Sequence, residues 1–166
     1  MKMRALILGL LILIAATSCA NPSNEVLETF LAEADPILVS HGDITEETNA
    51  SNISLNQAVA SGDQQRALLA LQTYRNDLNR AISLIRDESL RWRGLNVPVA
   101  SRDYHRLILS AFLKETEGLQ GLSDSYSTTL AGGRPDPSII NNANALLREA
   151  ILIFADARQS LRDLAK

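Results

Sequence analysis

Two histidines, His41 and His105, are the residues best suited to metal or proton chemistry, because imidazole binds metals and titrates near neutrality. Both fall in phase with the apolar positions of their segments, so both are expected to point inward. A di-iron site in a helical bundle uses Glu-x-x-His pairs, which place two ligands on one helical face. This chain contains none, and it also lacks the Cys-x-x-Cys-His of covalent haem attachment. Counted from the outer turns, His41 lies about 19 residues down its helix and His105 about 26, a stagger of roughly 10 Å at 1.5 Å per residue. They should not share one metal or clamp one haem. Each is expected to be a buried ring hydrogen-bonded to a neighbouring Asp, Thr or Tyr, with no metal and no cofactor. Hydrolytic chemistry fares no better. No Gly-x-Ser-x-Gly elbow is present, and Glu115 and Glu117, two apart, fall on different helical faces. The chain does not read as an enzyme.

Other polar residues could serve binding. Thr45, Thr48 and Asn52 continue the line of His41 and make the least core-like stretch of the chain. They either line a cavity or partner groove, or mark a place where the helix frays or loops out. Gly62-Asp63 and Gly133-Arg134 occupy turns at one end of the fold and are candidate partner contacts. At the other end Arg91-Trp92-Arg93 could meet a membrane interface, although Trp92 is in phase with the apolar seam and fits a core position.

The elements that hold these residues follow from hydrophobic periodicity and its punctuation. A first helix over 22–60 carries Leu27, Leu31, Ala34, Leu38, Thr45, Thr48, Leu55 and Val59 at heptad-like spacing. Pro36 and Gly42 weaken it, and a break between Gly42 and Asn52 is the alternative. Ser61-Gly62-Asp63 supplies a turn and a cap. A second helix over 63–93 presents Ala67, Leu71, Tyr74, Leu78, Ala81, Ile85 and Trp92, and Gly94 and Pro98 stop it. A third over 100–131 presents His105, Ile108, Phe112, Leu119, Leu122, Tyr126 and Leu130. A fourth over 137–165, opened by Asp136-Pro137, has the cleanest pattern, from Ile140 through Ala143, Leu147, Ala150, Phe154 and Ala157 to Leu161 and Leu164. Four long amphipathic helices with short connections predict an all-α, antiparallel up-down-up-down four-helix bundle. At the level of His41 the same counting puts Ile82, Phe112 and Phe154, an expected aromatic layer.

The first nineteen residues fix where such a bundle works. Lys2 and Arg4 precede an unbroken apolar run from Ala5 to Ala16, and Ala16-Thr17-Ser18-Cys19 closes it with small residues before a cysteine. That is the layout of a secretory signal, too short for a spanning helix of about 20 residues. With its closing cysteine it resembles the signal of bacterial lipoproteins, apart from Ala16, where that family usually has Leu. The resemblance implies removal of residues 1–18, acylation of Cys19 as the first mature residue, a short tether over 19–21 and a folded domain over 22–166.

Composition agrees with a single helical domain. Cys19 is the only cysteine, so no internal disulfide can form. Loss of Lys2 and Arg4 takes the formal charge from −3 to −5, and an acidic chain is a poor ligand for nucleic acid. Helix 1 begins so close to Cys19 that the base of the bundle should lie near the membrane, with the 61–63 and 132–136 turns roughly 50 Å away. The expectation is a membrane-anchored, extracytoplasmic scaffold or interaction module of a bacterial envelope, meeting a protein partner through a helical face or the outer turns. The alternative is a small-ligand or metal carrier with a pocket near His41. A cavity beside His41 would favour the carrier, and a filled aromatic layer the scaffold.

Overall fold

Sequence periodicity becomes four antiparallel helices in the computed structural model, which describes residues 22–164. The leader and Cys19 lie outside the described residues. α1 spans Pro22–Ala60, α2 Gln64–Arg93, α3 Arg102–Leu130 and α4 Pro137–Leu164, with a single 3-10 turn at Val99–Ser101 before α3. No strand occurs among the described residues. The protein is an all-α four-helix bundle.

The turns form where Gly and Asp dictate. Gly62 takes the left-handed conformation at φ 73°, and its N–H donates to the Val59 carbonyl. Asp63 then caps α2, its Oδ1 accepting from the Arg66 N–H at 3.0 Å. At the end of α3, Gly132 adopts φ 80°. Its N–H reaches the Thr129 carbonyl while that of Gly133 reaches Thr128, the paired bonds of a Schellman motif.

α1 is continuous through Pro36 and Gly42, and neither the break nor the fraying considered between Gly42 and Asn52 occurs. Its inward stripe is rotated from the expected one. Phe30, Ala34, Ile37, Ile44, Leu55 and Ala58 are buried, and with half-buried His41, Thr48 and Ser51 they step by 4 and 3 without interruption. Leu27, Leu31 and Leu38 flank this stripe, packed against its edge. Thr45 is exposed and Val59 is 60 % exposed, so neither belongs to the seam.

α3 and α4 approach most closely, because glycines leave room. A Cβ on Gly118 would stand 2.8 Å from Leu147 Cγ, and one on Gly121 3.1 Å from Ala143 Cβ. α4 accordingly buries Ala143, Ala150 and Ala157 and leaves Ile140, Leu147, Phe154 and Leu161 half-covered. Between α2 and α3, Asn79 Oδ1 accepts from Ser123 Oγ at 2.7 Å and Arg75 Nε donates to Ser127 Oγ at 2.9 Å. These polar rungs pin the register of the two helices.

Candidate functional site

The centre of the bundle holds an ionic layer that three helices assemble. His41 of α1 points inward, its Nδ1 3.4 Å from Glu88 Oε2 on α2 and its Nε2 3.1 Å from Glu115 Oε2 on α3. Phe112 and Phe154 close over the ring, each with its centroid 5.0 Å from it. The side chains are 12 %, 4 % and 13 % exposed for His41, Glu88 and Glu115. Burial by itself pushes an imidazole toward the neutral form, but the contacts with Glu115 and Glu88 outweigh it and raise the His41 pKa to about 9. The ring is therefore an imidazolium at neutral pH, between two carboxylates and beside two phenyl rings tilted against it.

The carboxylates are poorly served otherwise. Both Glu88 oxygens and Glu115 Oε2 are enclosed without a hydrogen-bond partner, so their contact with His41 is ionic attraction at loose geometry. Such an arrangement is costly to break, since removing one member strands the others in a low-dielectric interior. It is not shaped as a metal centre: the two carboxylates sit on opposite ring nitrogens, so they cannot converge with one nitrogen on a common ion. Among the described residues no group of three or more His, Cys, Asp or Glu is placed to hold a metal.

The expected aromatic layer exists, with Phe112, Phe154 and His41 in mutual contact and Ile82 buried. The expectation that His41 hydrogen-bonds to Asp, Thr or Tyr is corrected: the groups at its ring nitrogens are two glutamates, in ion-pair contact. Sequence reasoning missed Glu88 and Glu115 as site residues.

His105 has a separate role. Its Nε2 lies 2.8 Å from the Trp92 carbonyl, while Trp92 Nε1 donates to the His105 carbonyl at 3.1 Å. The two rings stack at 5.7 Å. A carbonyl only accepts, so Nε2 carries the proton in this contact. The partner is again not Asp, Thr or Tyr, but the reciprocal bond fastens the end of α2 to the start of α3. Trp92 is 0 % exposed and packs edge-on against Phe30 and Tyr104. It is a core residue and not an interface residue, while Arg91 and Arg93 on either side are exposed.

The polar line on α1 divides. Thr48 borders an open groove of about 430 Å³ between α1 and α2, floored by Ile44, Ala81 and Leu84 and rimmed by Glu47, Asp77 and Arg80. The groove continues along α1 past Asp43 to Pro36 in a second lobe of about 370 Å³. Small side chains at Ala50, Ser51 and Ser54 open it, and the Arg80–Glu47 ion pair crosses it at 3.4 Å. Thr45 and Asn52 do not border it. Thr45 bonds back to the His41 carbonyl and Asn52 accepts from Asn56. Gly62 and Asp63 are accounted for by the turn and cap, Gly133 packs against Thr128, and Arg134 is exposed at the outer end.

Comparison with protein-family models, with curated proteins and with solved structures gave no match. The functional reading therefore rests on the residues themselves.

Proposed function

We propose that this protein is a membrane-anchored, extracytoplasmic lipoprotein acting as a helical interaction module of the bacterial cell envelope. Cys19 would be the acylated residue, and the bundle would follow it directly. The observation that carries the module reading over the carrier is the filled layer at His41. Both ring nitrogens face carboxylates and two phenyl rings lie 5.0 Å from the ring, the aromatic layer expected of a scaffold. Open space lies instead at the surface, along α1 from Pro36 to Ser54. Eighteen residues at 1.5 Å each give it a length of roughly 27 Å, which suits a helical segment laid into a groove.

Two measurements test this. Cys19→Ser should abolish incorporation of a labelled fatty acid and move the protein from the membrane to the soluble fraction with its helical circular dichroism intact. A mutant that still incorporates the labelled fatty acid refutes the anchor. Photo-crosslinking residues placed at Ser51 and Arg134 should capture a discrete protein in intact cells. The same residue at Ile151, exposed on α4, should not. Equal labelling at all three positions refutes a defined interaction face.

A further inference from the structure

We propose that the last turn of α2 and the α2–α3 connection, together Ser89 to Arg102, form a lipid-contacting surface that rests on the anionic headgroups of the bilayer to which the chain is anchored. This inference depends on the anchor reading and adds a second point of attachment to it.

Phe30 marks the end of the bundle that faces the anchor. Phe30 lies against Trp92 and Tyr104, with ring centroids 6.2 and 6.3 Å away. Pro22 is eight residues before Phe30 on the same helix, so the foot of α1 reaches roughly 12 Å beyond the Trp92 level. The α2–α3 connection leaves Trp92 at that same end. Cys19 stands three residues before Pro22, and three residues span at most about 10 Å. An acylated Cys19 therefore holds the Trp92 level within roughly 22 Å of the headgroups when the bundle stands upright, and closer when it leans.

The composition of the connection suits that neighbour. From Ser89 to Arg102 there is no acidic residue, and Arg91, Arg93 and Arg102 are all exposed. Leu90 is 63 % exposed and Val99 73 %. A lone exposed apolar side chain is ordinary on a protein surface. Here two of them share a short segment with three arginines, at the end where the anchor enters. Guanidinium groups pair with lipid phosphates, and apolar side chains beside them can enter the headgroup boundary. The surrounding acids limit the contact to this side: Glu25 and Glu28 are exposed on the foot of α1 and Asp87 on α2, while Asp103 is held by Arg106 at 3.1 Å. Arg158 and Arg162 near the end of α4 are also exposed, with Asp163 beside them. The bundle should accordingly lean toward the α2–α3 connection, away from the acidic foot of α1.

The test uses the acylated full-length mature protein. With Cys19 blocked by lipid, Val99→Cys introduces the one free thiol for an environment-sensitive fluorophore, and Gln65→Cys at the outer turn is the control. In vesicles of mixed phosphatidylglycerol and phosphatidylcholine, the probe at 99 should shift to the blue and be quenched by headgroup-level nitroxide lipids. The probe at 65 should do neither. Arg91→Glu with Arg93→Glu should reverse the effect at 99. In the Cys19→Ser chain, each arginine replaced by Ala should weaken binding to the same vesicles roughly fivefold, from about 1 kcal/mol per basic residue at an anionic surface. Co-flotation with vesicles while the probe at 99 matches that at 65 overturns this inference and leaves the anchor standing. Equal quenching in pure phosphatidylcholine overturns the charge recognition. Failure to co-float overturns the anchor itself.

Discussion

Raising the pH from 7 to 9 should weaken this bundle by about 2 kcal/mol, and His41 should be the reason. Its pKa rises from 6.5 to about 9 on folding. A group whose folded pKa is raised stabilises the fold fully below the unfolded value, and that contribution fades as pH climbs through the folded value. At 1.36 kcal/mol per unit, the charged ring contributes about 3 kcal/mol below pH 6.5. Most of this remains at pH 7 and little of it at pH 9. The side chain is 12 % exposed, so solvent screening removes little of it. Urea titrations followed by helical ellipticity, on the soluble Cys19→Ser chain, measure the effect. With a slope of about 2 kcal/mol per molar urea, the midpoint should fall by about 1 M between pH 7 and 9. The tyrosines do not interfere, since burial holds Tyr74 and Tyr104 at about 12.

The substitutions separate His41 from every other titrating group. His41→Gln leaves Glu88 and Glu115 facing each other without a cation and should cost about 3–5 kcal/mol at pH 7. What stability remains should no longer fall between pH 7 and 9. Glu115→Gln removes one of the two attractions, so the alkaline loss should be complete at a lower pH than in the parent chain. A parent midpoint that stays flat from pH 7 to 9 refutes the reasoning. So does a His41→Gln protein that falls as steeply as the parent.

Gly118→Ala forces a Cβ to 2.8 Å from Leu147 and 2.9 Å from the Ala143 carbonyl, and should lower stability by about 1–3 kcal/mol in a thermal melt, while the same change at exposed Gly42, where a Cβ meets nothing, should raise it. Ala150→Asp places a carboxylate at a position 2 % exposed and should abolish cooperative unfolding by circular dichroism; an unchanged melt would mean α4 faces elsewhere. Trp92→Phe removes the bond to the His105 carbonyl and should cost about 1–3 kcal/mol by chemical denaturation.

The bundle was legible in the sequence because its signals were redundant. α4 repeated 3- and 4-residue steps without a fault, and Gly, Asp and Pro punctuated every turn within a residue or two of the observed ends. α1 was legible in extent but not in phase. Its apolar stripe is wide, as a core-facing helix requires, so Leu27, Leu31 and Leu38 on its edge compete with Phe30, Ile37 and Ile44 at its centre. Choosing the edge moved much of the seam by one residue and brought Thr45 inward, where the structure has Ile44.

The ionic layer escaped for a different reason, and the reason is instructive about where function hides in such sequences. The seam of α2 stepped from Ile85 to Trp92 and that of α3 from Phe112 to Leu119, each a gap of 7 in a pattern of 3 and 4. A helix does not stop facing the core for two turns, so each gap had to contain an inward position. Three residues beyond Ile85 is Glu88, and three beyond Phe112 is Glu115. With Glu88 passed over and Glu115 weighed only beside Glu117, His41 was left with no ionic partner in view. Taken as core positions, the two carboxylates and the histidine share the level of Phe112 and Phe154, and the histidine must be charged because isolated carboxylates are too costly to bury. A single acidic residue in a seam is weak evidence of anything. Two acids and one base, each in the inward register of a different helix at one height, define a layer whose members depend on one another, which is why the His41→Gln and Glu115→Gln proteins should differ in the shape of their pH response and not merely in depth.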